Sequence, residues 1–159
     1  MDAMPLDFHQ EISAWTSQLK NSKKTFLFLE KRMLEMPLGG TAVGTGINAH
    51  PRFPKLFAKE LNKLSGGRWK NVPSENFFHE LSAQDTAVQV SGELKNLAII
   101  LLKISNDLRW MNSGPLAGLS EIELQALQPG SSIMPGKVNP VIPEAVSYTH
   151  LTLPTILPV

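Results

Sequence analysis

Two runs of apolar residues, spaced alternately three and four apart, constrain this chain more than anything else in it. The first is Ile12, Trp15, Leu19, Phe26, Leu29, Met33 and Met36, with Ser22 filling one slot. The second is Ala87, Val90, Leu94, Leu97, Leu101, Ile104, Leu108 and Met111. Such spacing keeps one apolar stripe in line along an α-helix, the seam of helix-on-helix packing. Pro5 suits a first helical turn and Pro37 closes the first run, while Ser113-Gly114-Pro115 stops the second. Each predicted helix holds roughly 30 residues and spans about 45 Å. A compact globule of 159 residues is only about 40 Å across. The helices overshoot their own domain, so the pattern predicts an all-α, long-helix bundle that is incomplete within this chain. Helices from further chain or from other subunits would complete it. Between the two runs, Phe53, Leu56, Phe57, Leu61 and Leu64 mark a shorter helix, opened by Pro51 and ended by Gly66-Gly67.

Composition narrows the function. Hydrophobic residues at 42% and charged residues at 18% suit a folded chain and argue against disorder. Fifteen Lys+Arg against fourteen Asp+Glu give a net charge of +1, so no basic footprint points to nucleic acid. No apolar run reaches the roughly 20 residues of a membrane span. There is no cysteine, which excludes disulfides and thiolate chemistry and fits a reducing compartment. The opening Met-Asp-Ala-Met-Pro lacks the order of a signal peptide. A soluble intracellular protein is expected.

Two segments escape helical patterning. Residues 39–48 carry four glycines. Ser113 to Pro140 is a long stretch rich in glycine and proline with no sustained periodicity, and loops of that length are uncommon unless functional or disordered. The tail, residues 147–159, has no charge. It follows a helix start at Pro143-Glu144-Ala145-Val146, abandons it, and resembles a translated sequencing-library adapter. The expectation is a central helical-bundle domain over residues 1–146 and a non-native tail over 147–159, the alternative being a genuine apolar extension.

The chemistry concentrates in Gly130-Ser131-Ser132-Ile133-Met134-Pro135-Gly136-Lys137-Val138-Asn139-Pro140. Two hydroxyls, an ammonium and an amide within nine residues supply donors for an oxyanion and a hydroxyl able to exchange a proton. Serine acts as a base only where positive potential and aligned N–H groups surround its oxygen. The bland alternative is a flexible connector with an incidental lysine.

This strip resembles the signature of the fumarase/aspartase superfamily, G-S-S-x-M-P-x-K-x-N. Gln10-Glu-Ile-Ser13, the segment Gly39 to Gly46, and Asn106-Asp-Leu-Arg-Trp110 followed by Ser113-Gly-Pro115 resemble class II fumarate hydratases in the same order. The resemblance runs from Met1 to about Val146 and corresponds to the central domain of a family subunit. It implies a lyase that interconverts fumarate and L-malate by reversible anti addition of water, with no metal or other cofactor. Ser131 would be the base that removes the C3 proton of malate, on a mobile loop. Ser132, Lys137, Val138 (through its backbone) and Asn139 would hold the substrate carboxylates. Glu144 would pair with a catalytic histidine that the resemblance places just ahead of Met1. It further implies a homotetramer whose active sites each draw on three subunits, in the cytoplasm, or in the mitochondrion if a transit peptide precedes this segment. Aspartate ammonia-lyase shares the loop and remains an alternative, as does a non-catalytic helical scaffold.

Three features are weighed as decoys. Gly44-Thr-Gly-Ile-Asn-Ala49 mimics a dinucleotide fingerprint but follows a heptad helix, with no βαβ unit expected around it. His9, His50, His79 and His150 share no ligand spacing, so no metal site is expected and capping or surface roles are. Arg109-Trp110 is expected to pack and pair at a helix end, close enough in sequence to the loop to support it.

Overall fold

A computed structural model of the chain describes residues 4–134 and 136–156. Its elements are α1 (Phe8–Met33), β1 (Glu35–Met36), α2 (Phe53–Leu64), β2 (Val72–Pro73), α3 (Phe77–Ser82), α4 (Asp85–Met111) and α5 (Val141–Ile156). The chain divides into two units. One takes residues through Ser22 and from Leu94 onward, the other Lys23–Glu93.

In the first unit, α1 begins on a reciprocal cap. Asp7 N–H donates to Gln10 Oε1 and Gln10 N–H donates to Asp7 Oδ1, each at 2.9 Å. This pairing occupies donors that the first helical turn leaves without partners. The cap overrides the start expected at Pro5, which lies ahead of the helix. Trp15 is buried, with the Lys103 ammonium 5.7 Å from its ring centre, a cation–π distance. The Trp15 indole N–H and Gln18 Oε1 are buried without a hydrogen-bond partner among the described residues.

The seams are helical, but their burial is partial. Ile12, Leu19 and Leu94 on the expected stripes are exposed, whereas Ala98, Ile100 and Ser105, off the stripe of α4, are buried beside Met111.

The helix begun at Pro143 does not stop at Val146. α5 starts two residues earlier, at Val141, and runs to Ile156. Ser147 is buried, its hydroxyl 3.3 Å from Asn106 Oδ1. Helical backbone therefore extends into the tail, contrary to the sequence pattern. The last residues, 157–159, lie outside the described ones.

The second unit holds a feature that the sequence hides. β1 and β2 pair in parallel, Glu35 with Val72 and Met36 with Pro73, and α2 forms the crossover between them. Met36 is thus strand rather than the last seam position of α1. Asn62 locks the return: its amide donates to the Asn71 carbonyl at 2.9 Å and its oxygen accepts the Asn71 N–H at 2.8 Å. α2 starts at Phe53 with Pro54 in its first turn, not at Pro51, and ends before Gly66 and Gly67, both left-handed. α3 is short and capped by the Asn76 side chain, which accepts the His79 N–H.

Three helices of this unit meet at Asp85. Arg32 donates to its Oδ2 at 3.0 Å and to Gln89 Oε1 at 2.7 Å, while His79 Nε2 lies 3.0 Å from Asp85 Oδ1. Desolvation pushes the Asp85 carboxyl up, but the Arg32 hydrogen bond and the His79 charge together hold it below its ordinary value. A carboxyl whose folded pKa is depressed stabilises the fold above its unfolded pKa, and the contribution disappears as pH falls through the folded value. Asp85→Asn in a complete subunit is expected to lower the melting temperature at neutral pH. The gap to the unsubstituted protein should begin to shrink as pH falls below the ordinary aspartate value of about 3.9 and close only below the lower folded value. Thermal melts across pH check this, and a gap independent of pH would refute it.

No helix among the described residues is long and apolar enough to cross a membrane.

Candidate active site

The long segment after α4 is ordered by hydrogen bonds back to the helix end. The Met111 carbonyl accepts the N–H groups of Glu121 at 2.9 Å and Ile122 at 3.2 Å. Asn112 Oδ1 accepts the Leu124 N–H at 2.7 Å. Ser113 binds the fold-back from inside: its carbonyl accepts the Ser120 N–H at 2.7 Å and its hydroxyl the Leu119 N–H at 3.1 Å. A side chain at Gly118 would place Cβ 2.2 Å from the Ser113 carbonyl carbon, so the turn tolerates only glycine there. These contacts give the last turn of α4 carbonyl partners that the helix itself lacks.

The signature strip closes as a ring at the other end of the segment. A Cβ on Gly130 would sit 2.1 Å from the Lys137 carbonyl oxygen, so the two backbones touch. The Asn139 amide donates to the Gly130 carbonyl at 3.4 Å. Inside the ring, Lys137 N–H donates to the Met134 carbonyl at 3.2 Å, with Gly136 left-handed at φ 82°. Ser131 is half-buried, and its hydroxyl accepts the Ile133 N–H at 3.3 Å. Ser132, Lys137 and Val138 are exposed, and Asn139 is half-buried. The sequence-predicted residues 131, 132, 137, 138 and 139 thus share one closed loop.

Glu144 stands just beyond, in the first turn of α5 and half-buried. It lines a cavity of about 460 Å³ together with Val138, Pro140, Asn106, Arg109 and Asn112. The structure therefore joins Val138 and Glu144 on one wall system, while Ser131, Ser132 and Lys137 do not line that cavity. Asn106, Arg109 and Asn112 were not singled out as site residues. The signal for them was the run Asn106 to Ser113, which carries polar side chains where α4 ends. Arg109 bonds Asn106 Oδ1 at 3.2 Å and Trp110 is 68% exposed, so the pair borders the cavity instead of packing at the helix end.

The glycine segment offers no phosphate cradle. The N–H groups of Gly44 and Gly46 both donate to the Gly40 carbonyl, at 2.9 Å each. The fingerprint-like stretch lies inside the small βαβ unit, correcting the expectation that none surrounds it, yet it does not open α2 as a dinucleotide site requires. No group of three or more His, Cys, Asp or Glu side chains among the described residues is placed to hold a metal ion. His50 caps locally, its Nδ1 accepting the Arg52 N–H at 3.1 Å.

Comparison with known proteins bears on this geometry. A family model described as lyase matches residues 1–151. The chain is 56% identical over 147 residues to a class II fumarate hydratase of Pseudomonas aeruginosa, covering 92% of this chain and 32% of that protein. It is 49% identical to the class II fumarate hydratase of Thermus thermophilus, with 92% and 31% covered. Among solved structures it superposes on a class II fumarase from Schistosoma mansoni with a TM-score of 0.87 at 34% identity, covering 96% of this chain and 35% of that one. A fumarate lyase:delta crystallin from Brucella melitensis, bound to cobalt, gives 0.87 at 40% identity, with 96% and 33% covered. The chain spans about a third of the length of the curated relatives it matches.

Proposed function

Since this chain belongs to the lyase family, we propose that it is the central segment of a class II fumarate hydratase, which adds water across fumarate to give L-malate and reverses the reaction. The observation that carries this reading is the closed ring of the signature strip. Its backbone contact between Gly130 and Lys137 puts the residues that carry two hydroxyls, an ammonium and an amide on one closed loop.

In the malate direction Ser131 takes the C3 proton as base, breaking the C–H bond. The electron pair moves onto the adjacent carboxylate as an aci-carboxylate, then returns to form the C2–C3 double bond as the C2–O bond breaks, the departing hydroxyl taking a proton from the histidine that Glu144 partners and leaving as water. Charge therefore grows on a carboxylate that Lys137, Asn139, Ser132 and the Val138 backbone hold. Donors of this kind accelerate the step only by binding the developing dianion more tightly than the ground state. Glu144 orients and charges a histidine contributed from outside this chain. The absence of periodic structure in the strip is in keeping with a loop that closes over substrate.

The exposed seam positions Ile12, Leu19 and Leu94 suit burial against helices of the same fold, in the homotetramer that the resemblance implies. A cytoplasmic location follows from the same reading. The tail from residue 147 is read as non-native, its helical backbone continuing the register of α5 without contributing to the site. Aspartate ammonia-lyase is not favoured, because the curated relatives quoted above carry the fumarate hydratase name.

A complete subunit carrying this segment decides the matter by ultraviolet absorbance of the fumarate double bond. Production of fumarate from L-malate and none from L-aspartate is expected. Turnover of aspartate, or of neither acid, overturns the assignment.

A further inference from the structure

Charge is unevenly spread along this chain. Residues 51–73, which hold α2 and the return to β2, carry six of the fifteen Lys and Arg residues against one carboxylate, Glu60, although the net charge of the whole is only +1. Three of those cations, Lys55, Lys59 and Lys63, line a groove of about 610 Å³ that lies wholly inside the second unit. We propose that this groove binds a linear polyphosphate chain, at a site that shares no residue with the signature loop.

The helix sets the geometry. Lysines at positions i, i+4 and i+8 stand along one face of α2, and eight residues of rise place the first and last about 12 Å apart on the axis. Ala58 is buried between them and lines the same groove, so a short side chain leaves a trough flanked by lysine stems. Asn71 and Pro73 supply the facing wall, held to α2 by the hydrogen bonds between Asn62 and Asn71. Lys63 gives its ammonium to Glu60 at 2.7 Å, whereas Lys55 and Lys59 make no ion pair among the described residues. Like charges one turn apart repel, and a bound polyanion removes that repulsion.

The donor set selects the ligand. A lysine ammonium is a compact point charge suited to phosphate, while planar carboxylates are matched by the arginine fork. No arginine lines the groove among the described residues. Asn62 and Asn71 are engaged with each other, so the ammonium groups dominate the field that a ligand meets. A row of charge about 12 Å long calls for an extended polyanion, since a single phosphate reaches only one end of it. No aromatic side chain lines the groove among the described residues, and it therefore lacks the stacking platform of a single-stranded nucleic-acid site.

The test is isothermal titration of the complete subunit with short-chain polyphosphate, orthophosphate, a single-stranded oligonucleotide and polyglutamate at one ionic strength. Polyphosphate is expected to bind, and orthophosphate at least about tenfold more weakly, because only the chain engages several ammonium groups at once. Lys55→Gln and Lys59→Gln should each weaken polyphosphate binding about tenfold, the loss of one close charge contact. Each should also lower the slope of log affinity against log salt by about one. Glu60→Gln releases Lys63 and should tighten binding about threefold. Circular dichroism and assembly state report that each variant folds. Unmoved affinity in both lysine variants overturns the proposal. So does an equal loss in Arg68→Gln and Lys70→Gln, cations of the same segment that do not line the groove, because diffuse charge would then be the cause. Tighter binding of the oligonucleotide or of polyglutamate than of polyphosphate overturns it in favour of a nucleic acid or an acidic peptide. Binding of none of the four overturns it in favour of a solvated helix face. None of these outcomes depends on the hydratase reading.

Discussion

Ser131→Ala in a complete subunit is expected to lower kcat at least about a hundredfold in both directions, the usual range for loss of a positioned base. The loss should fall on proton transfer. Exchange of the malate C3 hydrogen with solvent should drop in parallel with turnover, while KM changes little, because in the proposed reading Lys137, Asn139 and Ser132 hold the carboxylates. The physical reason lies in the loop. An isolated serine hydroxyl is too weak a base to take a carbon-bound proton, so its oxygen has to sit among donors that favour the alkoxide. Within the loop closed at Gly130 and Lys137, Ser131 Oγ accepts the Ile133 N–H at 3.3 Å. Ser132→Ala is the internal contrast, since loss of a carboxylate donor weakens KM and kcat together. Near-normal exchange in Ser131→Ala would remove Ser131 from the base role.

How much of this was visible in the residues depends on the range of the interaction involved. The heptad runs predicted α1 and α4 because a period of three and four is a local property repeated over many turns. Their ends were less legible. The Asp7–Gln10 cap moved the start of α1 past Pro5, and pairing with Val72 and Pro73 drew Glu35 and Met36 into a strand. Two-residue strands and the six-residue α3 are too short for any period to register, so the small βαβ unit could not be read. Burial on α4 departs from the stripe, since Ala98, Ile100 and Ser105 are buried while Leu94 is exposed. In the tail, uncharged residues carried no amphipathic signal, yet the first turns of α5 propagate helix through them, as cooperative extension allows once a nucleus exists.

The site divides in the same way. The sequence could group Ser131, Ser132, Lys137, Val138 and Asn139 because they lie on one contiguous strip, and Glu144 because it follows at once. Arg109 and Asn112 could not be grouped with them, because they meet Val138, Pro140 and Glu144 only in the folded chain, across the long irregular segment between α4 and α5. Contacts across ten or more residues of irregular chain leave no periodic trace in composition.

Gly130→Ala is expected to cost nearly as much turnover as Ser131→Ala, through geometry alone. The added methyl would stand 2.1 Å from the Lys137 carbonyl oxygen and 2.6 Å from its carbon. Both are backbone atoms, so no side-chain rotation relieves the clash and the ring must open at its base. Opening it breaks the Asn139 amide contact with the Gly130 carbonyl and displaces the adjoining Ser131. A displacement near 1 Å in a reacting group costs about a hundredfold in rate, and that loss in kcat is the expected result. The bundle should be indifferent, since the ring lies outside every helix: far-ultraviolet circular dichroism and assembly should match the unsubstituted protein. Gly136→Ala supplies the control. Its left-handed φ of 82° makes alanine strained, but nothing lies within 4 Å of the new methyl. The penalty is then about 1–2 kcal/mol of backbone strain, which the turn absorbs locally, and turnover should fall less than about tenfold. If both glycine variants lost activity equally, flexibility of the strip rather than the Gly130–Lys137 contact would be what the reaction needs. Only unequal losses, with Gly130 the more sensitive, support a ring that must be closed for the serine to act.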